Sequence, residues 1–178
     1  MRSDKSIDYD APSIGDKETL IRLLCSPLYY DEATGQVSID AFDLRMLGRK
    51  QNQPEHYASL GREKFFANKE ERQHYLQVGY TVWDDKEWDS NRYYGYGTFL
   101  ACEAKAISSR IELWPLKGSA PYHIGLFYTA SEDAYYKGPL PKDDTEILFM
   151  LSELAEMIED NIEKAPEREL LTTDGESL

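Results

Sequence analysis

Residues 144–164 read DTEILFMLSELAEMIEDNIEK, and the fold class turns on this stretch. Ile147, Leu151, Leu154, Ile158 and Ile162 recur at steps of 4, 3, 4 and 4, the rhythm of one helical face. Asp143 or Asp144 supplies a cap in front and Pro166 a stop behind. The spacing predicts an amphipathic helix over 145–164, and its apolar stripe must be laid against another layer.

The preceding residues supply that layer. Residues 110–114 read as a strand ended by Pro115, and Lys117-Gly118-Ser119 reads as a turn. A second strand follows over 122–129. Alternation sends Tyr122, Ile124, Leu126 and Tyr128 to one side and His123, Gly125 and Phe127 to the other. The two strands read as an antiparallel hairpin. Together these elements predict an α+β fold: a small, mainly antiparallel sheet packed against short helices and one long C-terminal amphipathic helix.

Further toward the N-terminus the signals are shorter. Asp16 fits as the cap of a short helix through Leu20, Ile21, Leu23 and Leu24, with a strand as the competing reading, and Pro27 ends either. Residues 31–35 read as a turn. Ser38 opens a second short helix with Ile39, Phe42 and Met46 on one side and Gly48 as its stop. Pro54 suits the first turn of another helical stretch. Asn68 with Glu71 resembles a capping box leading into a helix toward Tyr75 and Gln77. Residues 78–83 read as a strand and 97–109 as a helix, with a strand as the competing reading because Leu100, Cys102, Ala104 and Ala106 alternate with charged residues. One domain over 16–165 is expected, with a flexible lead-in over 1–15 and a frayed polar tail over 166–178.

Charge is distributed unevenly. The 178 residues carry 33 acids against 20 bases, net −13, and residues 130–178 alone hold 14 acids against 4 bases. An acidic chain of this kind disfavours nucleic acid and anionic membrane as partners, because phosphates must be met by Lys and Arg. The one basic cluster, Arg45, Arg49 and Lys50, reads as the end of a short helix. No apolar run approaches the ~20 residues that cross a bilayer, and the N-terminus lacks a secretory apolar segment. Two scattered cysteines, Cys25 and Cys102, suit reduced thiols. A cytoplasmic protein is the expected setting.

Two features carry the functional expectation. Glu146, Glu153, Glu156, Asp160 and Glu163 form an acidic ribbon on the solvent side of the C-terminal helix. Those near its C-terminal end oppose the helix dipole, at a cost of roughly 0.3–1 kcal/mol each when exposed. A helix selected for stability alone would place bases there, although acidic faces also simply keep proteins soluble. The second feature is aromatic: Trp88, Tyr93 and Tyr94 flank a hydrophilic loop, and exposed Trp and Tyr anchor interfaces. The expected function is a non-catalytic interaction or regulatory protein that binds a basic protein partner through both.

Two other classes compete. One is a small enzyme, hydrolase or transferase, with His123 as general base beside the open space left by Gly125. It requires a concave pocket at His123 with a second polar group in hydrogen-bond reach. Ser59 and His56 are close in sequence only. The other is an acidic decoy of nucleic acid that occupies a DNA-binding protein, which needs carboxylates spread over the whole surface. No metal or cofactor is expected: His56, His74 and His123 have no ligand spacing, and the carboxylates of residues 84–89 lack the Gly and Glu of a calcium loop. Gly95-Tyr96-Gly97 lacks the rest of a phosphate-binding or dinucleotide motif.

Overall fold

A computed structural model describes residues 2–44, 56–87 and 90–168, built around strand β1 (Thr19–Ser26). Its run from Leu20 to Cys25 is buried on both sides, which is why helical and strand periodicity could not be told apart. The short helix expected over 16–24 is therefore a central strand. Even Arg22 is enclosed, donating from Nε to the Ala41 carbonyl (2.8 Å) and from Nη1 to that of Ser59 (3.0 Å).

Around β1 lie β2 (Tyr30–Asp31), β3 (Gln36–Val37), β4 (Ala58–Arg62), β5 (Arg92–Leu100), β6 (Ile111–Pro115), β7 (His123–Ser131), β8 (Ala134–Tyr135) and β9 (Ile162–Lys164). The main sheet runs β6-β7-β4-β1-β5-β9 with antiparallel neighbours throughout, and β8 folds back on β7. β2 and β3 form a separate hairpin whose turn uses Gly35 at φ 73°. The helices are α1 (Lys69–Gly79), α2 (Ala101–Ile107) and α3 (Thr145–Glu159). This is the expected mixed α+β class with a mainly antiparallel sheet and short helices.

The two faces of the sheet take different covers. Gly97 pairs with Arg22, and the space a Cβ would fill there is taken by Ile158 of α3. Gly61 pairs with Ile21 and faces the other way, where the ring of Tyr75 on α1 fills the corresponding space at 2.7 Å. α3 and α1 thus sandwich the sheet, and Ile147, Met150, Leu151, Leu154, Ala155 and Ile158 line the α3 side.

Several expectations are corrected. α3 stops at Glu159 because Asp160 and Asn161 turn the chain, and Ile162–Lys164 pair with Gly95–Gly97 as an edge strand. The Ile162 side chain still packs on the core, so the 4-3-4-4 spacing continues past the end of the helix. Residues 78–83, expected as a strand, prolong α1: its last residues run into a π-helical turn over Tyr80–Asp84. In 97–109 the chain is strand to Leu100 and helix from Ala101, so both readings hold in part. β4 occupies residues for which a helix after Pro54 was expected. The β6–β7 hairpin is present with Ile111 opposite Tyr128, but Tyr122 precedes the strand and packs on Phe66 and Tyr75 instead.

The cap at Asn68 is present, its side chain accepting from the Glu71 N–H, while Glu71 reaches back to the Ala67 N–H. Ser38 caps a single 3₁₀ turn over Ile39–Ala41. The lead-in is packed down: Ile7 is fully buried and bridges to Leu116, and the Asp4 side chain is enclosed. At the other end, residues 165–168 lie along α1, with Tyr80 donating to the Pro166 carbonyl (2.9 Å) and Arg168 paired with Asp85 (2.6 Å). Arg45, Met46, Gly48, Arg49, Lys50, Pro54, Trp88 and the tail beyond 168 lie outside the described residues.

Candidate functional site

The acidic ribbon is assembled differently from its expected form. Glu146 sits at the start of α3, where Asp144 caps the helix by accepting from the Glu146 and Ile147 N–H groups. Its carboxylate is paired with Arg110 at 2.9 Å. Glu163 is not on α3 at all. It belongs to β9, opposite Tyr96, and its carboxylate accepts from the Tyr96 hydroxyl. Tyr96 pairs with Leu23, which alternation places on the α1 side of the sheet, so Glu163 lies across the sheet from α3.

Glu153, Glu156 and Asp160 remain. Glu156 and Asp160 are exposed and Glu153 is half-buried, and none makes a hydrogen bond or ion pair among the described residues. Their spacing of three and four residues keeps them on one strip of the helix. Glu159 turns aside to accept the Val37 N–H at 3.0 Å.

The aromatic half divides at a register shift in the β1–β5 ladder between Leu24 and Cys25. Tyr93 is buried. Its hydroxyl donates to the Leu76 carbonyl of α1 and its ring stacks on Trp83 at 5.8 Å, so it is part of the core and not of a contact surface. Burial pushes its phenol pKa far above the ordinary value. Tyr94 goes the other way, its half-buried ring 4.5 Å from that of Tyr30, with Lys164 Nζ 5.8 Å from its centroid. The β2–β3 hairpin therefore joins Tyr94 to the end of α3: Tyr30 touches Tyr94, Val37 pairs with Tyr30, and Glu159 holds Val37.

A shallow groove of about 450 Å³ runs between α2 and α3. Ala106, Ile107 and Met157 supply its apolar lining and Glu103, Glu153 and Glu156 its charge. Sequence reasoning missed Glu103, which belongs with the ribbon only because α2 docks on α3. Its carboxylate also accepts the Leu100 N–H at the start of α2 (2.7 Å).

His123 has a polar partner in Ser59. Its Nε2 lies 2.5 Å from Ser59 Oγ across the β4–β7 ladder. Burial holds the imidazole below its usual range, which favours the neutral form. Ser59 is thus the second polar group in hydrogen-bond reach of His123, on a strand paired with β7 over residues 58–61. The space left by Gly125 is filled by Phe127 and Tyr57, within 2.7–2.9 Å of where its Cβ would stand. A larger concavity of about 830 Å³ lies on the outer side of α1, around His74 and Arg168; neither it nor the α2–α3 groove is lined by His123.

His56 meets Asp4 at 2.8 Å, and Ser6 approaches the same Nε2 at 3.3 Å. Against a burial that alone would raise it, hydrogen bonds from Ser6 and His56 hold the Asp4 carboxyl below its usual range. A nucleophilic triad needs Ser and Asp on opposite ring nitrogens, and here they share one. The arrangement fastens the lead-in to the sheet. Among the described residues no cluster of three or more His, Cys, Asp or Glu could hold a metal ion, and no helix is long and apolar enough to cross a membrane.

These features define an α+β protein with an acidic helix strip beside a tyrosine pair. No family model matches the chain, and neither does any curated protein or solved structure.

Proposed function

We propose that this chain is a non-catalytic interaction or regulatory protein that binds a basic protein surface through the outer side of α3 and the adjoining Tyr30–Tyr94 pair. One observation carries the reading: Glu153, Glu156 and Asp160 have no hydrogen-bonding or ionic partner among the described residues, whereas Glu146 and Glu163 are both partnered within the chain. Carboxylates left in water create a field that steers a cationic partner, and their uncompensated repulsion is relieved when it arrives. Tyr94 supplies an amphipathic ring at the same end, the residue type that anchors interfaces.

The enzyme alternative has a polar partner for His123 in Ser59, but His123 lines neither of the two concavities described above and the space beside Gly125 is filled. The decoy alternative requires carboxylates spaced like phosphates across the whole surface; α3 holds three without a side-chain partner on one strip, while others such as Asp10, Glu70 and Asp143 stand apart from it.

Capture by the full chain tests the proposal, comparing the natural sequence with Glu153→Lys/Glu156→Lys/Asp160→Lys and with a control reversal at Glu70 and Glu87. A partner of high isoelectric point, lost with the triple variant and kept by the control, is the expected result. Equal recovery of the same proteins by all three chains overturns it.

A further inference from the structure

We infer that the α2–α3 groove is the seat of an arginine-bearing segment of the basic partner, with Phe149 as the neighbouring apolar anchor. The inference rests on the interaction reading above and narrows it to one groove and one kind of occupant.

Phe149 is the most exposed large hydrophobic residue among those described, 55% accessible and on the strip that continues through Glu153, Glu156 and Asp160 at steps of 4, 3 and 4. That helix side is thus unpartnered and mixed: one aromatic ring, then a row of carboxylates. The groove beside it has an apolar lining of Ala106, Ile107 and Met157 with Glu103, Glu153 and Glu156 around it. An acidic rim over an apolar lining is the complement of an arginine side chain, which lays its methylene stem on apolar surface and directs a forked guanidinium at carboxylates. Lysine matches the charge but not the paired-carboxylate geometry.

A second copy of this chain is the poorer occupant, because two strips of the same sign would face each other on molecules of net charge −13. Nucleic acid is disfavoured for the same reason. Phe149 then receives an apolar residue roughly one helical turn away on the same partner segment, which sets the register of the arginine in the groove.

The test uses an isotope-labelled full chain and a synthetic amphipathic peptide with two arginines and one leucine on a single face. A second peptide replaces both arginines by lysine, and a third by citrulline. Amide shifts confined to α2, α3 and Phe149, with affinity falling from arginine to lysine to citrulline, are expected. Glu153→Lys/Glu156→Lys and Phe149→Ser should each weaken the arginine peptide by about tenfold. Asp160→Lys, beyond the groove, should weaken it less.

Shifts centred on α1 or on the β2–β3 hairpin, equal binding of the three peptides, no binding at millimolar peptide, or dimerisation through α3 each overturns the groove assignment. The broader proposal fails separately, when the natural chain and its triple variant capture the same proteins. Because the mapping uses the natural sequence, it stands even where a variant folds poorly.

Discussion

Glu18 and Glu156 are the same residue type in opposite circumstances. Glu18 is 7% exposed at one end of the sheet, gripped by Arg62 from Nε and Nη2 at 2.7 Å each and by Lys64 at 2.6 Å. Burial alone would raise its pKa, but the hydrogen bonds from Arg62 and Lys64 take it down to about 2. Glu156 stands in water on α3 without a partner among the described residues. The first carboxylate is consumed by the fold: it compensates a fully enclosed guanidinium that also ties down the lead-in through the Pro12 and Ser13 carbonyls. The second has no side-chain partner among the described residues. Net charge does not distinguish them; the presence of an internal partner does.

Removing the internal partner should give the largest effect. Glu18→Gln leaves the Arg62 charge buried without its counterion, and should lower unfolding free energy by about 3–5 kcal/mol in a denaturant titration. A change under about 1 kcal/mol would mean that solvent reaches Arg62 freely and that the contrast with α3 is one of degree.

The same pair sets an acid-side pH dependence. The folded-state pKa of Glu18 is depressed from 4.5 to about 2, so its contribution is complete above 4.5 and is lost as pH falls through about 2. Unfolding midpoints measured between neutral and strongly acidic pH should decline over that window. The Glu18→Gln chain should show a shallower decline there.

Next comes Gly125→Ala, which separates packing from ligand space beside His123. Its Cβ would meet Phe127 and Tyr57 under 3 Å, and overpacking of this kind costs about 1–3 kcal/mol. A variant as stable as the natural chain would reopen that space, and with it the enzyme reading.

The smallest effect is expected on α3. Glu153→Lys/Glu156→Lys should change unfolding free energy by no more than about 0.5 kcal/mol, because the positions are surface ones and bases near the helix C-terminus agree with its dipole. Marked destabilisation would show that these carboxylates serve the fold as Glu18 does, and would remove the basis for partner binding.

How far the sequence could be read follows from how local each signal was. The Asn68 cap, the turn at Gly35 and the β6–β7 hairpin depend on residues a few positions apart, and each was legible. β1 was not, since burial on both faces erases the alternation that distinguishes a strand. The ribbon was half legible: Glu153, Glu156 and Asp160 share a helix face by spacing, but Glu163 was assigned to it on a helix that ends before it. Tyr93 and Tyr94 are adjacent letters with opposite fates, separated by one register shift against β1. The contact of Ser59 with His123 spans 64 positions and leaves no trace in the order of residues.

The chain's letters alone determined the acidic excess at the C-terminal end, the helix carrying part of it and the mixed α+β class, because charge and periodicity are properties of neighbouring residues. Only the tertiary structure decided which carboxylates are left without a partner, that Glu103 joins Glu153 and Glu156 at one groove, and that His123 meets Ser59 while Tyr57 and Phe127 fill the space beside Gly125. Those outcomes depend on strand register and on how α2 docks against α3, and both are fixed by packing between segments far apart in sequence.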